Sequence, residues 1–236
     1  MANRQALFLN FDINAQPDEV NCGPTCLHAL YQYYKDSIGL KDVIREVKSF
    51  KDGGTLAVML GNHALKRGYK AVIHTYNLTV FDPSWFKYSS RKMVENLKMQ
   101  MRHKKNRKFQ TASKAYIKFL EAGGKMVYTE LNAALIKQYL KQSIPILTGL
   151  SATHLYGTPR EIPSNNKFDS IRGEPAGHFV VINGYDESSE CVYLADPMNP
   201  NPLKSQYYNV PFDRLINSIM LGILTYDANL LIVEPK

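Results

Sequence analysis

The chain changes character after Ser143, and this change limits the folds that it can adopt. Before that point, apolar residues recur every three or four positions, which is the spacing of helices that bury one face. Beyond it, apolar residues form short Val- and Ile-rich runs bounded by Gly, Pro, Asp or Ser, as is typical of strands. Helices first and antiparallel strands second predict an α+β fold in two lobes.

The expected elements follow from these patterns. Helices are expected at 24–35, 40–50, 55–67, 89–104, 111–122 and 131–142. Strands are expected at 69–76, 126–128, 144–150, 178–185, 192–195 and 230–233. Gly68 follows the third helix at the position that favours a left-handed cap. Residues 151–177 are rich in Pro, Ser, Asn and Gly, and a loop of that length predicts a functional lid or a disordered insert.

The length of 236 residues fits one domain that can bury a substantial core. We expect a single domain over 1–236, with a helical lobe at 1–142, an insert at about 80–125 and a β lobe at 143–236. No apolar stretch approaches the ~18 residues of a membrane span, and the N-terminal segment lacks the features of a signal peptide. Three cysteines cannot form a closed set of disulfides. These features predict a cytoplasmic protein with no membrane partner.

The net charge of +8 is concentrated in one segment. Between Lys87 and Lys108 there are nine Lys or Arg residues and a single acid, Glu95, so this segment carries the whole net charge. The basic patch predicts either a solvated helix face or a docking strip for an acidic partner. No nucleic-acid-binding motif accompanies it, so nucleic acid is disfavoured as a partner.

Cys22 precedes the first predicted helix, in the run Cys-Gly-Pro-Thr-Cys. Free N–H groups at a helix N-terminus favour a thiolate, so Cys22 is a candidate nucleophile. Pro24 suits the first helical turn, where its missing N–H breaks no hydrogen bond. Gly23 is expected to let a substrate approach the backbone closely. Cys26 lies one turn further along and is expected to be a core residue.

A base and an acid lie on a predicted hairpin in the second part of the chain. If the hairpin is symmetric about Glu187, His178 stands directly opposite Asp196. A carboxylate in that position would hold the imidazole in one tautomer while its other nitrogen faces a thiol. Asn183 is an alternative orienting residue, although a regular strand points it to the opposite face.

Four segments of the sequence occur in a known order: Gln16, then Cys22-Gly23, then Gly177-His178-Phe179-Val180-Val181, and finally Asp196-Pro197. In this order they resemble the bacteriocin-processing, double-glycine-type cysteine peptidases of the papain-like clan. The resemblance implies a papain-like fold and hydrolysis of a peptide or amide bond in a peptide or protein substrate, without a cofactor. It implies a nucleophile in Cys22, a general base in His178, an orienting acid in Asp196, and an oxyanion donor in the Gln16 side chain.

The sequence departs from the family pattern at two points. Asn21 stands where the family has Asp before the cysteine, and 156 residues separate Cys22 from His178, because a helical insert lies between them. No transporter or ATPase segment is expected to follow. The resemblance therefore leaves the substrate open.

Other functions remain open at this point. A thiol enzyme on the same fold can pass its acyl group to an amine, so an amide-bond transferase or a deamidase is an alternative. A binding module that uses the basic patch, with an idle Cys-His pair, is another. A zinc site made of Cys22, Cys26 and His28 is disfavoured, because ligands at this spacing on one helix splay apart.

Overall fold

The computed structural model describes residues 6–50 and 54–236. The expectation about a signal peptide falls partly on residues 1–5, which lie outside the described part. The helices are α1 (Cys22–Tyr33), α2 (Leu40–Glu46), α3 (Ala57–Lys66), α4 (Ser90–His103), α5 (Arg107–Glu121), α6 (Ala133–Lys141), α7 (Ala152–Tyr156) and α8 (Phe212–Leu221). The described residues contain no helix that is long and apolar enough to cross a membrane.

The strands are β1 (Ala6–Phe8), β2 (Lys70–Thr75), β3 (Lys125–Val127), β4 (Ile146–Ser151), β5 (Glu161–Ile162), β6 (Lys167–Phe168), β7 (Gly177–Asp186), β8 (Cys191–Ala195), β9 (Tyr207–Pro211) and β10 (Asn229–Glu234). All of them except β5 and β6 form one sheet in the order β3-β2-β10-β4-β7-β8-β9, and β1 pairs with the far end of β7. The pair β2–β3 is parallel and the other pairs of this sheet are antiparallel.

The α+β fold class is confirmed. Strands β1, β2 and β3 come from the first part of the chain and join the same sheet, so the lobe boundaries at 142 and 143 stay a prediction.

Strand β7 is buried on both faces of the sheet. Phe179 and Val181 pack into a core with α1, α3 and α5, whereas Val180 and Ile182 pack into a second core with α6 and α8. This is why the strand is a nearly continuous apolar run instead of an alternating one. The sheet thus carries helices on both faces and holds His178, at the start of β7, close to α1.

The helix ends follow local capping. The fifth helix begins at Arg107 rather than at the predicted residue 111, because the side chain of Asn106 accepts a hydrogen bond from the backbone N–H of Phe109. Gly68 has φ +90°, which confirms the predicted left-handed cap. The second helix ends at Glu46, shorter than the predicted range to residue 50.

The segment 151–177 was wrongly predicted to be a loop throughout. Ser151 ends β4 and its hydroxyl caps α7, while β5 and β6 form a small hairpin. Glu174 then pairs with Glu161 through two backbone hydrogen bonds of 2.8 and 3.0 Å. The sequence also gave no prediction of β9 and α8.

Candidate active site

Cys22 is the first residue of α1, and Asn21 precedes it as the N-cap residue. The half-buried side chain of Cys22 therefore lies where backbone N–H groups have no partner within the helix. These N–H groups favour a negative charge on the sulfur.

The expectation for Gly23 was wrong. This residue is buried, and a Cβ placed on it would lie 2.6 Å from the Cγ2 atom of Thr55 and 3.2 Å from Phe179. Glycine is needed here because α1 packs closely against Thr55 and Phe179. The groups that approach the Gly23 backbone are therefore side chains of the protein and not a substrate.

His178 and Asp196 form a direct hydrogen bond of 2.8 Å between Nε2 and Oδ1. Their side chains are 2% and 0% exposed, so the pair is shielded from water. After Asp196, the Cys22 side chain is the next group that raises the pKa of His178, so its sulfur lies close to the imidazole. Because Nε2 is bound to Asp196, Nδ1 is the ring nitrogen that remains for the thiol. The structure thus brings Cys22, His178 and Asp196 together.

The predicted register of the hairpin was wrong, although the two residues do meet. Val181 pairs with Ala195 and Ile182 with Leu194, and a bulge follows at Asn183. If this register is extended by one residue, Asp196 stands opposite Val180. Val180 lies two residues after His178 and on the same face of β7. The contact is therefore diagonal, a distance that long side chains can bridge. Asn183 makes no hydrogen bond to His178, and its Oδ1 atom has no hydrogen-bond partner among the residues that the structure describes.

The carboxylate of Asp196 accepts four hydrogen bonds. Oδ1 accepts from His178 and, at 2.9 Å, from the backbone N–H of Met198. Oδ2 accepts from the hydroxyls of Tyr156 and Tyr208 at 2.7 and 2.6 Å. The buried acid is therefore fully satisfied.

The electrostatics of the pair favour its charged form. Burial alone would lower the pKa of His178, but the charge and hydrogen bond of Asp196, followed by those of Cys22, raise it above its ordinary range. Burial would raise the pKa of Asp196, yet His178 and the tyrosine hydroxyls hold it below its usual value. The site can therefore keep an imidazolium beside the carboxylate of Asp196.

Gln16 reaches the site through its backbone. Its N–H donates to the carbonyl of Pro197 at 2.8 Å, next to Asp196. Its side-chain amide donates to the carbonyl of Asp18 at 2.8 Å, which leaves the second amide proton available. The carboxylate of Asp18 accepts from the Asn21 side chain at 2.8 and 2.7 Å, so Asn21 helps to hold the loop before the nucleophile.

Three residues of the site were not identified from the sequence. Tyr156 ends α7 and Tyr208 lies on β9, in segments that were not predicted to be ordered. The pKa of Glu161, on β5, is raised by burial and then by Glu19, while His178 lowers it. The segment 151–177 thus contributes to the site, and its length was the only signal of this in the sequence.

The remaining cysteines do not lie at a helix N-terminus, since Cys26 is inside α1 and Cys191 begins β8. Cys26 is fully buried and Cys191 is half-buried. Within residues 6–50 and 54–236, no group of three or more His, Cys, Asp or Glu side chains is arranged to hold a metal ion.

The chain is similar to several solved structures. A C39-like peptidase from Bacillus anthracis aligns with a TM-score of 0.52 at 16% identity, covering 98% of each chain. A double glycine motif protease from an AMS/PCAT transporter, in complex with the leader peptide, aligns at 14% identity with a TM-score of 0.46, covering 98% of this chain and 99% of its own. The peptidase domain of Streptococcus ComA, a bifunctional ABC transporter involved in quorum sensing, aligns at 13% identity with a TM-score of 0.45, covering 96% and 100%.

Sequence comparison identifies the family. No curated protein matches the chain. The profile of the Peptidase_C39 like family matches residues 8–218, which include Gln16, Cys22, His178 and Asp196. The chain therefore belongs to the Peptidase_C39 like family and is a cysteine peptidase.

Proposed function

We propose that Cys22, His178 and Asp196 form a catalytic triad that hydrolyses a peptide bond through a thioester acyl-enzyme. One observation carries the proposal. The Cys22 thiol at the N-terminus of α1 lies close to the imidazole of His178, which is hydrogen-bonded to the buried carboxylate of Asp196. This is the arrangement that thiol peptidases need.

The reaction follows from these positions. The Cys22 sulfur attacks the carbonyl carbon of the scissile bond, while the protonated His178 gives its proton to the leaving amine. The C–N bond breaks and a thioester to Cys22 remains. Water then attacks the thioester, His178 takes up its proton, and the acid product leaves as the thiolate–imidazolium pair forms again. Asp196 holds the imidazole in place and stabilises its charge throughout.

The oxyanion of the tetrahedral intermediates needs donors beside the nucleophile. The backbone N–H of Cys22 has no partner within α1, since it lies at the helix N-terminus. We assign the second donor to the free amide proton of Gln16. The hydrogen bond to Asp18 would keep this amide oriented.

The substrate is proposed to be a peptide or protein. Membership of the Peptidase_C39 like family supports this class. An acidic partner at the basic patch is the second part of the proposal. Arg102, Lys105 and Arg107 are exposed and form no ion pair within the described residues, so their charge is available to a partner.

The test uses a peptidyl epoxide and a labelled protein. An epoxysuccinyl dipeptide should alkylate Cys22, as located by peptide mapping, and should inhibit hydrolysis of fluorescent casein. Cys22→Ser and Asp196→Asn should fold like the wild-type protein, with hydrolysis reduced by about 10⁴-fold or more. Cys191→Ser is the matched control and should remain active. Alkylation at another cysteine, or a fully active Cys22→Ser variant, would refute the triad.

The same assay separates a hydrolase from a transferase. In H₂¹⁸O, a hydrolase places one ¹⁸O atom in the new carboxyl group of every product. A transferase given an excess of a primary amine would instead yield an amide without the label. Amide as the dominant product would replace the peptidase proposal by the transferase alternative.

A further inference from the structure

Two tyrosines bind the acid of the triad on the side away from the histidine. The hydroxyls of Tyr156 and Tyr208 donate to the same oxygen, Oδ2 of Asp196, at 2.7 and 2.6 Å. The other oxygen, Oδ1, is bound by His178 and the Met198 N–H. We propose that Tyr156 and Tyr208 are positioning residues, which hold Asp196 on His178 and keep its carboxylate ionised. This inference rests on the proposed triad.

The two tyrosines approach from separate elements. Tyr156 is the last residue of α7 and Tyr208 lies on β9, the strand beyond β8. With Oδ2 held from both directions, the carboxylate cannot turn about its Cβ–Cγ bond without breaking two short hydrogen bonds. Its rotation would otherwise move Oδ1 away from His178. The ring of Tyr156 also lies near that histidine, with 6.2 Å between the ring centroids.

The hydroxyls are suited to stay donors at every working pH. Burial, and then the negative charge of Asp196, raise the pKa of Tyr156 and of Tyr208 far above the ordinary range for tyrosine. A neutral phenol that faces a carboxylate can only donate to it, and this stabilises the charged acid. Without the two donors, a buried charged oxygen would be left unsatisfied.

The network has a chemical consequence for the base. An ionised Asp196 is what keeps the proton on His178, and the imidazolium in turn keeps Cys22 as a thiolate. When Asp196 takes up a proton, this support is lost. The tyrosine hydroxyls should therefore set the lower pH limit at which the thiolate–imidazolium pair survives.

The test measures the rate at which iodoacetamide alkylates Cys22 as a function of pH. This rate reports the thiolate directly and needs no peptide substrate. Tyr156→Phe and Tyr208→Phe keep the ring and remove one hydroxyl each. A hydrogen bond to a charged group contributes roughly a factor of ten, so each variant should move the acid limb of the profile up by about one pH unit. The double variant should move it further.

Control variants separate this proposal from the one on which it rests. Tyr34→Phe removes a hydroxyl that donates to the Val233 carbonyl, and its profile should match that of the wild type. His178→Ala should abolish the rapid alkylation at low pH. If it does not, the triad itself is wrong. The positioning role is refuted by a different outcome. In that case His178→Ala abolishes the rapid alkylation, but both tyrosine variants keep the acid limb of the pH profile at the wild-type pH and change only the maximal rate.

A second measurement reports on the hydrogen bond between His178 and Asp196 and does not depend on alkylation. The Nε2 proton of His178, shared with Asp196, should give a downfield ¹H NMR resonance. In Tyr156→Phe or Tyr208→Phe this resonance should shift, while in Tyr34→Phe it should not. An unchanged resonance in the folded tyrosine variants would overturn the proposal.

Discussion

The thiol of Cys26 donates to the carbonyl of Phe179 at 3.3 Å. This contact joins α1, one turn beyond Cys22, to the residue that follows His178. Helix and strand are thus fixed to each other beside the nucleophile and the base. Cys26 is fully buried, whereas Cys22, four residues earlier in the same helix, is half-buried.

We expect iodoacetamide at mildly acidic pH to modify Cys22 before Cys26. Burial raises the pKa of Cys26 well above its ordinary value, and the nearby Cys22 and Asp196 raise it further. Its thiol is therefore both neutral and inaccessible. Peptide mapping by mass spectrometry after limited labelling is the measurement. Unfolding in urea should equalise the rates, and faster labelling of native Cys26 would contradict the structure.

Gly23→Ala should destabilise the protein by about 1–3 kcal/mol, because a methyl group there overlaps Thr55. Urea unfolding monitored by circular dichroism gives the change in unfolding free energy. Thr55→Ser removes the Cγ2 atom at 2.6 Å and keeps the hydroxyl that donates to the Lys48 carbonyl. The double variant should therefore recover part of the loss. Additive effects of the two changes would show that the overlap is not the cause.

Asp227→Asn should remove one component of the pH dependence of stability. Asp227 is a buried carboxyl that accepts from the Ala57 N–H, at the start of α3. Burial raises its pKa from 3.8 to about 7. A carboxyl with a raised pKa contributes full stability below about pH 4, and this contribution is lost as the pH rises through about 7.

The variant should therefore gain stability relative to the wild type between pH 5 and pH 8. Unfolding free energies at both pH values, taken as the difference between variant and wild type, isolate this group from the others. Asp213→Asn, at an exposed position, serves as the control. A difference that does not change between pH 5 and pH 8 would mean that Asp227 has an ordinary pKa.

Charge reversal of the basic patch should affect a partner without affecting the thiol site. Arg102, Lys105 and Arg107 are the positions to change to Glu. Lys104 and Lys108 should be left intact. Lys104 donates to the Thr79 carbonyl, and the Nζ atom of Lys108 lies 4.9 Å from the ring centroid of Tyr226. We expect alkylation of Cys22 by the epoxysuccinyl dipeptide to proceed at the wild-type rate.

Binding of a poly-glutamate chain tests the acidic partner. Its affinity should fall with rising salt, because exposed charges are screened beyond about 8 Å at physiological ionic strength. The triple reversal should abolish the binding, whereas reversal at the exposed Lys41, Lys141 and Lys236 should not. Equal binding by both triple variants would favour the solvated-surface interpretation.

The sequence predicted the fold class and most of the larger elements because their periodicity is local. It did not predict how His178 meets Asp196. The bulge at Asn183 and a turn displaced from Glu187 change the register, and neither has a local signature. Together the two changes shift the register by two residues, an even number, so His178 and Asp196 still share a face.

The tyrosines could not be predicted for a different reason. Tyr156 and Tyr208 meet on one carboxylate oxygen only after α7 and β9 have packed, although 52 residues separate them in the chain. Periodicity describes which face of an element is buried. It carries no information on which polar side chains from separate segments converge.

Strand β10 lies between β2 and β4, although it follows both in the chain. On the ribosome, β2 with β3 and β4 with its later neighbours must remain two separate partial sheets until residues 229–234 have emerged. The edges of β2 and β4 that await β10 stay unpaired until β10 has been synthesised. The final folding step is therefore expected after synthesis of nearly the whole described chain, and a chaperone that shields sheet edges would act in that interval.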